Sequence, residues 1–118
     1  MVTQTQPVVS LSSNENQAIR EFLARTRLNY GEKIQRAALF GSKARGDSTE
    51  YSDIDILLIV ADEDWKFQQA LSRISSDISL EYDVLLDIRV MSVIHWQYLS
   101  DIRSGLYQNI TRDAVPLE

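Results

Sequence analysis

The stretch from Asp53 to Val60 constrains this chain more than any other. Alternate residues of a strand point to opposite faces of a sheet. Here Ile54, Ile56, Leu58 and Val60 fall on one face, and Asp53, Asp55, Leu57 and Ile59 on the other. Beyond Asp55 both faces are apolar. Such a strand has no side to offer water, so it belongs in the middle of a sheet covered on both faces. With 118 residues, the chain is long enough for one such domain and too short for two.

The flanking segments supply the covers. Ser12-Ser13-Asn14-Glu15 has capping-box spacing, with Ser12 as the N-cap and Glu15 as its reciprocal acceptor. Ile19, Phe22 and Leu23 follow at helical spacing, which predicts a helix to about Arg27 or Leu28, broken by Gly31. Ile34 to Phe40 reads as a strand. Gly41-Ser42 follows at once, Ala44 and Arg45 open a short helix, and residues 46–52 form a polar loop. Asp62 or Asp64 caps a helix whose apolar stripe is Phe67, Leu71, Ile74 and Ile78. Tyr82 to Val90 reads as a third strand, with Asp83, Leu85, Asp87 and Arg89 on one face. Ser92 caps a last helix bearing Val93, Trp96 and Leu99. Gly105 interrupts it, and a further turn carries Leu106 and Ile110 before Val115-Pro116-Leu117. Residues 1–11 read as a tail or loose arm, and 12–118 as one domain. The order αβ(α)βαβαα predicts a small α/β or α+β fold.

Composition narrows the chemistry. There are no cysteines, which excludes disulfides, thiolate metal sites and a cysteine nucleophile, and suits a reducing cytoplasm. The N-terminal residues lack a basic and then apolar pattern, so no signal peptide is expected. The longest apolar run, Ile54 to Ala61 interrupted by Asp55, is too short to span a bilayer. The net charge of −5 is the opposite of what a phosphate-gripping nucleic-acid binder carries, and direct nucleic-acid binding is not expected. The charge is unevenly spread. Asp47 to Asp87 holds eleven acidic residues against Lys66 and Arg73, while Lys33, Arg36, Lys43 and Arg45 cluster just before it. That pattern suits either a solvated acidic face or a cation site beside groups for phosphate.

Two features favour the second. A strand that ends in Gly41-Ser42 and turns into a helix start lets backbone approach a ligand closely and presents free N–H groups to an anion. Ser42 adds a hydroxyl, and Lys43 and Arg45 add charge. Asp53 and Asp55 then stand two apart on a strand, so both carboxylates project from one face, roughly 6.5 to 7 Å apart at the backbone. Like charges so placed repel, and burial makes this worse. A hard divalent cation gives a reason to build them, because Mg²⁺ takes carboxylate, phosphate and water oxygens. Two such ions about 3.5 to 4 Å apart can clamp attacking and leaving oxygens together. His95, the one histidine, falls early in a helix and reads as a surface residue; Trp65, Trp96 and Tyr107 read as packing rather than base-stacking groups.

The segment Leu39 to Val60 resembles the signature of the nucleotidyltransferase superfamily that includes DNA polymerase β, and most closely its minimal nucleotidyltransferases, or MNT domains. Gly41-Ser42, Ala44-Arg45-Gly46 and Ser52-Asp53-Ile54-Asp55 carry the likeness. Lys43 stands where Arg is usual, which keeps the charge and loses the planar fork. The resemblance implies a short mixed sheet flanked by helices, with the metal site along one edge. It also implies a third carboxylate on a later strand. Asp83 and Asp87 are the two candidates, and Leu86-Asp87-Ile88 before a Ser-capped helix fits the pattern better.

By that resemblance, Asp53, Asp55 and Asp87 are metal ligands and catalytic residues, holding two Mg²⁺ ions, or Mn²⁺. Gly41 and Ser42 with Lys43 and Arg45 hold the phosphates of ATP; Arg45 could equally pair with a carboxylate. The partner implied is a HEPN-type toxin whose tyrosine receives AMP, making this chain its antitoxin, in a homo- or hetero-oligomeric state the sequence leaves open. Two other readings stand beside it: an antitoxin that acts by binding alone, and a subunit that modifies a small molecule of aminoglycoside type.

Overall fold

The structure is a computed structural model and describes residues 11–46 and 52–117. Residues 1–10 of the expected arm, and most of the expected polar loop, lie outside the described residues. Leu11, the last residue of that arm, is buried in the core.

Ser12 caps helix α1 (Ser13–Tyr30) as its spacing requires. The Glu15 N–H donates to Ser12 Oγ at 3.1 Å, and the Ser12 N–H donates to Glu15 Oε1 at 3.0 Å. The helix runs past Leu28 to Tyr30, and a 3₁₀ turn at Gly31–Lys33 leads into β1 (Ile34–Phe40). A five-residue helix, α2 (Gly41–Arg45), follows without a gap. Strand β2 (Ile54–Val60) is buried along nearly its whole length. Helix α3 (Trp65–Tyr82), capped by Asp64, returns the chain to β3 (Leu86–Ser92). Ser92 caps α4 (Val93–Asp101), Ser104 caps α5 (Gly105–Asp113), and a two-residue β4 (Val115–Pro116) ends the order.

The sheet order is β3-β2-β1-β4. β1 is antiparallel to both β2 and β4, and β2 is parallel to β3. This is the short mixed sheet flanked by helices that the resemblance implied. Two parallel neighbours need a crossover, and α3 provides it.

β2 lies between β1 and β3, with a core on each side. Ile54, Ile56, Leu58 and Val60 join Ile19, Phe22, Leu23, Phe67, Leu71 and Ile78 under α1 and α3. Leu57 and Ile59 join Met91 and Ile110 under α4 and α5. Both halves of the alternation are satisfied by different helices, which is why the strand could be apolar on both faces.

The start of β3 moves furthest from expectation. Tyr82 and Val84 continue a two-residue alternation into β3, but Tyr82 also lies four residues beyond Ile78 on the helical stripe, and it ends α3. Asp83 then takes a left-handed conformation (φ 52°, ψ 49°) and closes the helix, its N–H donating to Ser79 O. Aspartate tolerates that region better than most residues because its short side chain bonds locally.

Candidate active site

The Asp-x-Asp pair meets its third member through strand register. Asp55 on β2 lies directly opposite Asp87 on the parallel β3. That register is fixed at its start: the Ile54 N–H donates to Leu85 O at 2.8 Å, and the Leu86 N–H donates to Ser79 Oγ at 3.2 Å. Asp53, just ahead of β2, completes the group. One carboxylate oxygen from each of Asp53, Asp55 and Asp87 lies within 4.8 Å of the other two. Asp83 is not among them, because it caps α3 outside the strand.

The electrostatics match the crowding. Asp55 is half-buried and its carboxyl is pushed up to about 6, by burial first, then by hydrogen bonding and repulsion from Asp87, and by the charge of Asp53. Arg89, two residues beyond Asp87 on the same strand face, works against this. Hard oxygen donors held this close, with one of them resisting ionisation, fit a divalent cation. Asp53, Asp55 and Asp87 are the residues that would hold it.

Gly41 abuts this group. Its φ is +74°, in the left-handed region, and a Cβ there would overlap Oδ2 of Asp55 and sit 3.2 Å from its Cγ. Only a residue without a side chain lets the start of α2 lie on the Asp55 carboxylate. Ser42 follows, half-buried.

The remaining basic candidates are placed differently. Lys43 is buried and its Nζ lies 2.6 Å from Glu15 Oε2, turned into the body of the domain. Arg45 is exposed at the end of α2. Arg112, chiefly by hydrogen bonding, and more weakly Arg45 hold the Asp113 carboxyl below its ordinary value, so a carboxylate does lie near Arg45. Sequence reasoning missed two partners. Glu15 registers there only as a cap residue, and nothing local shows that its second oxygen takes Lys43. Arg89 was legible as a same-face neighbour of Asp87, but its influence on Asp55 required the register.

His95, Trp96 and Trp65 take three different settings. His95 is exposed, its N–H donating to Ser92 Oγ at 3.0 Å and its Nδ1 3.6 Å from Glu63. Trp96 packs in the core under α4 and α5, 5.0 Å from the Tyr107 ring. Trp65, expected to pack, is instead exposed at the start of α3, with Lys66 Nζ 5.9 Å from its ring centre.

A carboxylate trio on a mixed sheet beside a glycine-serine turn is the arrangement expected of a nucleotidyltransferase. The family model described as "Nucleotidyltransferase domain" matches residues 19–109, and the chain belongs to that family. Two proteins of Methanocaldococcus jannaschii, each provisionally named a protein adenylyltransferase, are similar to it. One is 42% identical over 79 residues, covering 67% of this chain and 75% of that protein. The other is 41% identical over 69 residues, covering 58% and 70%. Among solved structures, one provisionally described as a minimal nucleotidyltransferase superposes with a TM-score of 0.57 and 24% identity over 90% of this chain and 97% of that one. A toxin–antitoxin solved with AMP-PNP gives 0.54 with 23% identity over 82% and 70%. At these identities the solved structures establish the shared fold. No helix among the described residues is long and apolar enough to cross a membrane.

Proposed function

We propose that this nucleotidyltransferase moves AMP from ATP to a tyrosine hydroxyl of a partner protein, a HEPN-type toxin, and so serves as its antitoxin. The observation that carries the catalytic half is the Asp53–Asp55–Asp87 group, assembled by the Asp55–Asp87 register against Gly41. A protein acceptor is supported by the names of the relatives, protein adenylyltransferase for those of M. jannaschii and toxin–antitoxin for a structural neighbour; the tyrosine and the HEPN-type partner are what the resemblance to MNT domains implies.

The residues take the following roles. Asp53 and Asp55 hold divalent cations, Mg²⁺ by preference, and Asp87 completes the set. Bound there, the cations supply positive charge to the phosphate oxygens where negative charge builds up. Gly41 and Ser42 seat the β- and γ-phosphates, and Arg45 adds charge at the rim. Asp87, exposed beside Asp55, is placed to accept the proton of the incoming hydroxyl. A bond forms from the acceptor oxygen to the α-phosphorus, the α–β bridging bond breaks in line, and pyrophosphate leaves.

The test is transfer of label from α-³²P-ATP with Mg²⁺ to a co-expressed HEPN-type partner, comparing the wild type with an Asp53→Asn, Asp55→Asn double variant. Label on the partner that disappears with the variant supports the proposal. A wild type that silences the partner without labelling it replaces catalysis with binding alone.

A further inference from the structure

Lys43 is a basic residue buried within the domain. Its side chain is 3% exposed and that of Glu15 15%. A buried ammonium without a partner carries a large desolvation penalty, and pairing offsets it without making the pair strongly stabilising overall. The best-attested use of such a pair is to fix one arrangement of the elements it joins. What it joins here is specific. Glu15 Oε1 accepts the Ser12 N–H, so the carboxylate is locked at the first turn of α1. That helix is anchored in the core by Ala18, Ile19, Phe22 and Leu23. Glu15 Oε2 then takes Lys43, at 2.6 Å, from the middle of α2. Two residues back along α2, Gly41 lies on the Asp55 carboxylate.

We propose that the Glu15–Lys43 ion pair is a positioning device that sets α2, and with it Gly41 and Ser42, against Asp55, and that Lys43 acts through this pair instead of touching nucleotide. The route runs from the core to Glu15, to Lys43, to the glycine-serine turn. The five-residue helix α2 packs against the core through Ala44, and the buried ion pair ties it to α1 as well. The inference rests on the proposed phosphate role of Gly41 and Ser42, and on no assumption about the acceptor.

The experiment uses the full chain with Glu15→Gln, Lys43→Met, both together, and Lys43→Arg. Lys43→Met keeps an unbranched apolar stem in the buried site. Two quantities are read: the affinity for a fluorescent N-methylanthraniloyl ATP with Mg²⁺, and hydrogen exchange of the Gly46 amide, which bonds to Ser42 O across α2 at 3.0 Å. Each single neutralising change should weaken nucleotide binding roughly 10- to 100-fold, the usual range for losing a group that orients others. It should also speed Gly46 exchange while the amides of β2 stay protected. The double variant should be no worse than the poorer single one, and Lys43→Arg should restore both readings. The proposal is overturned if Lys43→Met weakens binding by the same factor with and without Glu15→Gln and leaves Gly46 exchange unchanged, for then Lys43 meets the nucleotide directly. Should the wild type bind no nucleotide, the phosphate assignment fails, and Gly46 exchange alone decides whether the pair anchors α2.

Discussion

Gly41 lies directly against Asp55: a Cβ added to the glycine would overlap the aspartate's Oδ2. The turn that is proposed to carry phosphate and the carboxylate that is proposed to carry metal are therefore set by a single contact. Gly41→Ala combines that overlap with a left-handed φ of +74°. It should cost about 1–3 kcal/mol of stability and displace Asp55 or α2. Urea unfolding would show the loss, and the transfer assay should fall further than the stability change explains. A variant with full activity would mean the turn relaxes freely.

Asp55 gives the apo protein an unusual pH dependence. Its carboxyl has an ordinary value of 3.8 and is pushed up to about 6 in the fold, chiefly by burial and by Asp87. Between those values the folded chain binds more protons than the unfolded one, so Asp55 makes stability fall as pH rises through about 6. In thermal melts without metal, Asp55→Asn should raise the melting temperature at pH 7.5 and change it little near pH 4. Lower stability of that variant at pH 7.5 would contradict the assignment.

Divalent metal should reverse the same penalty. A ligand that binds only the folded state stabilises it by about 2.7 kcal/mol at a hundred times its dissociation constant. Mg²⁺ or Mn²⁺ should raise the melting temperature of the wild type more at pH 7.5 than at pH 5, where a proton competes at Asp55. EDTA should remove both this shift and transfer activity. Equal shifts for the wild type and the Asp53→Asn, Asp55→Asn variant would place the ion elsewhere.

Asp87 and Asp83 should separate cleanly. Removing a metal-holding carboxylate costs several kcal/mol of transition-state stabilisation, at about 1.4 kcal/mol per tenfold in rate. Asp87→Asn should thus lower transfer by roughly 100-fold or more on that scale. Asp83→Asn, at the end of α3, should leave the rate nearly unchanged, since asparagine also accepts the left-handed conformation. Steady-state rates of the two variants decide the matter.

Loss of the α1 cap should be felt in stability. Ser12→Ala removes the acceptor of the Glu15 N–H. It should cost about 1 kcal/mol in chemical denaturation, with little change in the slope of the transition.

Much of this protein was settled by local sequence. The alternation from Ile54 to Val60 required a central strand with two covers, and α1 and α3 on one face and α4 and α5 on the other supply them. Ser12, Asp64 and Ser92 cap their helices because a side-chain oxygen and a nearby free N–H are neighbours in sequence. Asp53 and Asp55 share a face because a strand has a period of two. Tertiary structure decided the rest. Tyr82 fitted both a strand and a helix pattern, and packing of α3 on the sheet chose the helix. The two residues of β4 are too few to show a period, and pair only because α5 delivers them to β1. Asp87 was one of two carboxylates until the β2–β3 register set it opposite Asp55. Lys43 read as a charge beside phosphate, and only the fold, by bringing a capping glutamate within 2.6 Å, turned it inward. Periodicity and capping act between near neighbours and can be read along the chain. Register and charge pairing join residues distant in sequence, and exist only once the elements have packed.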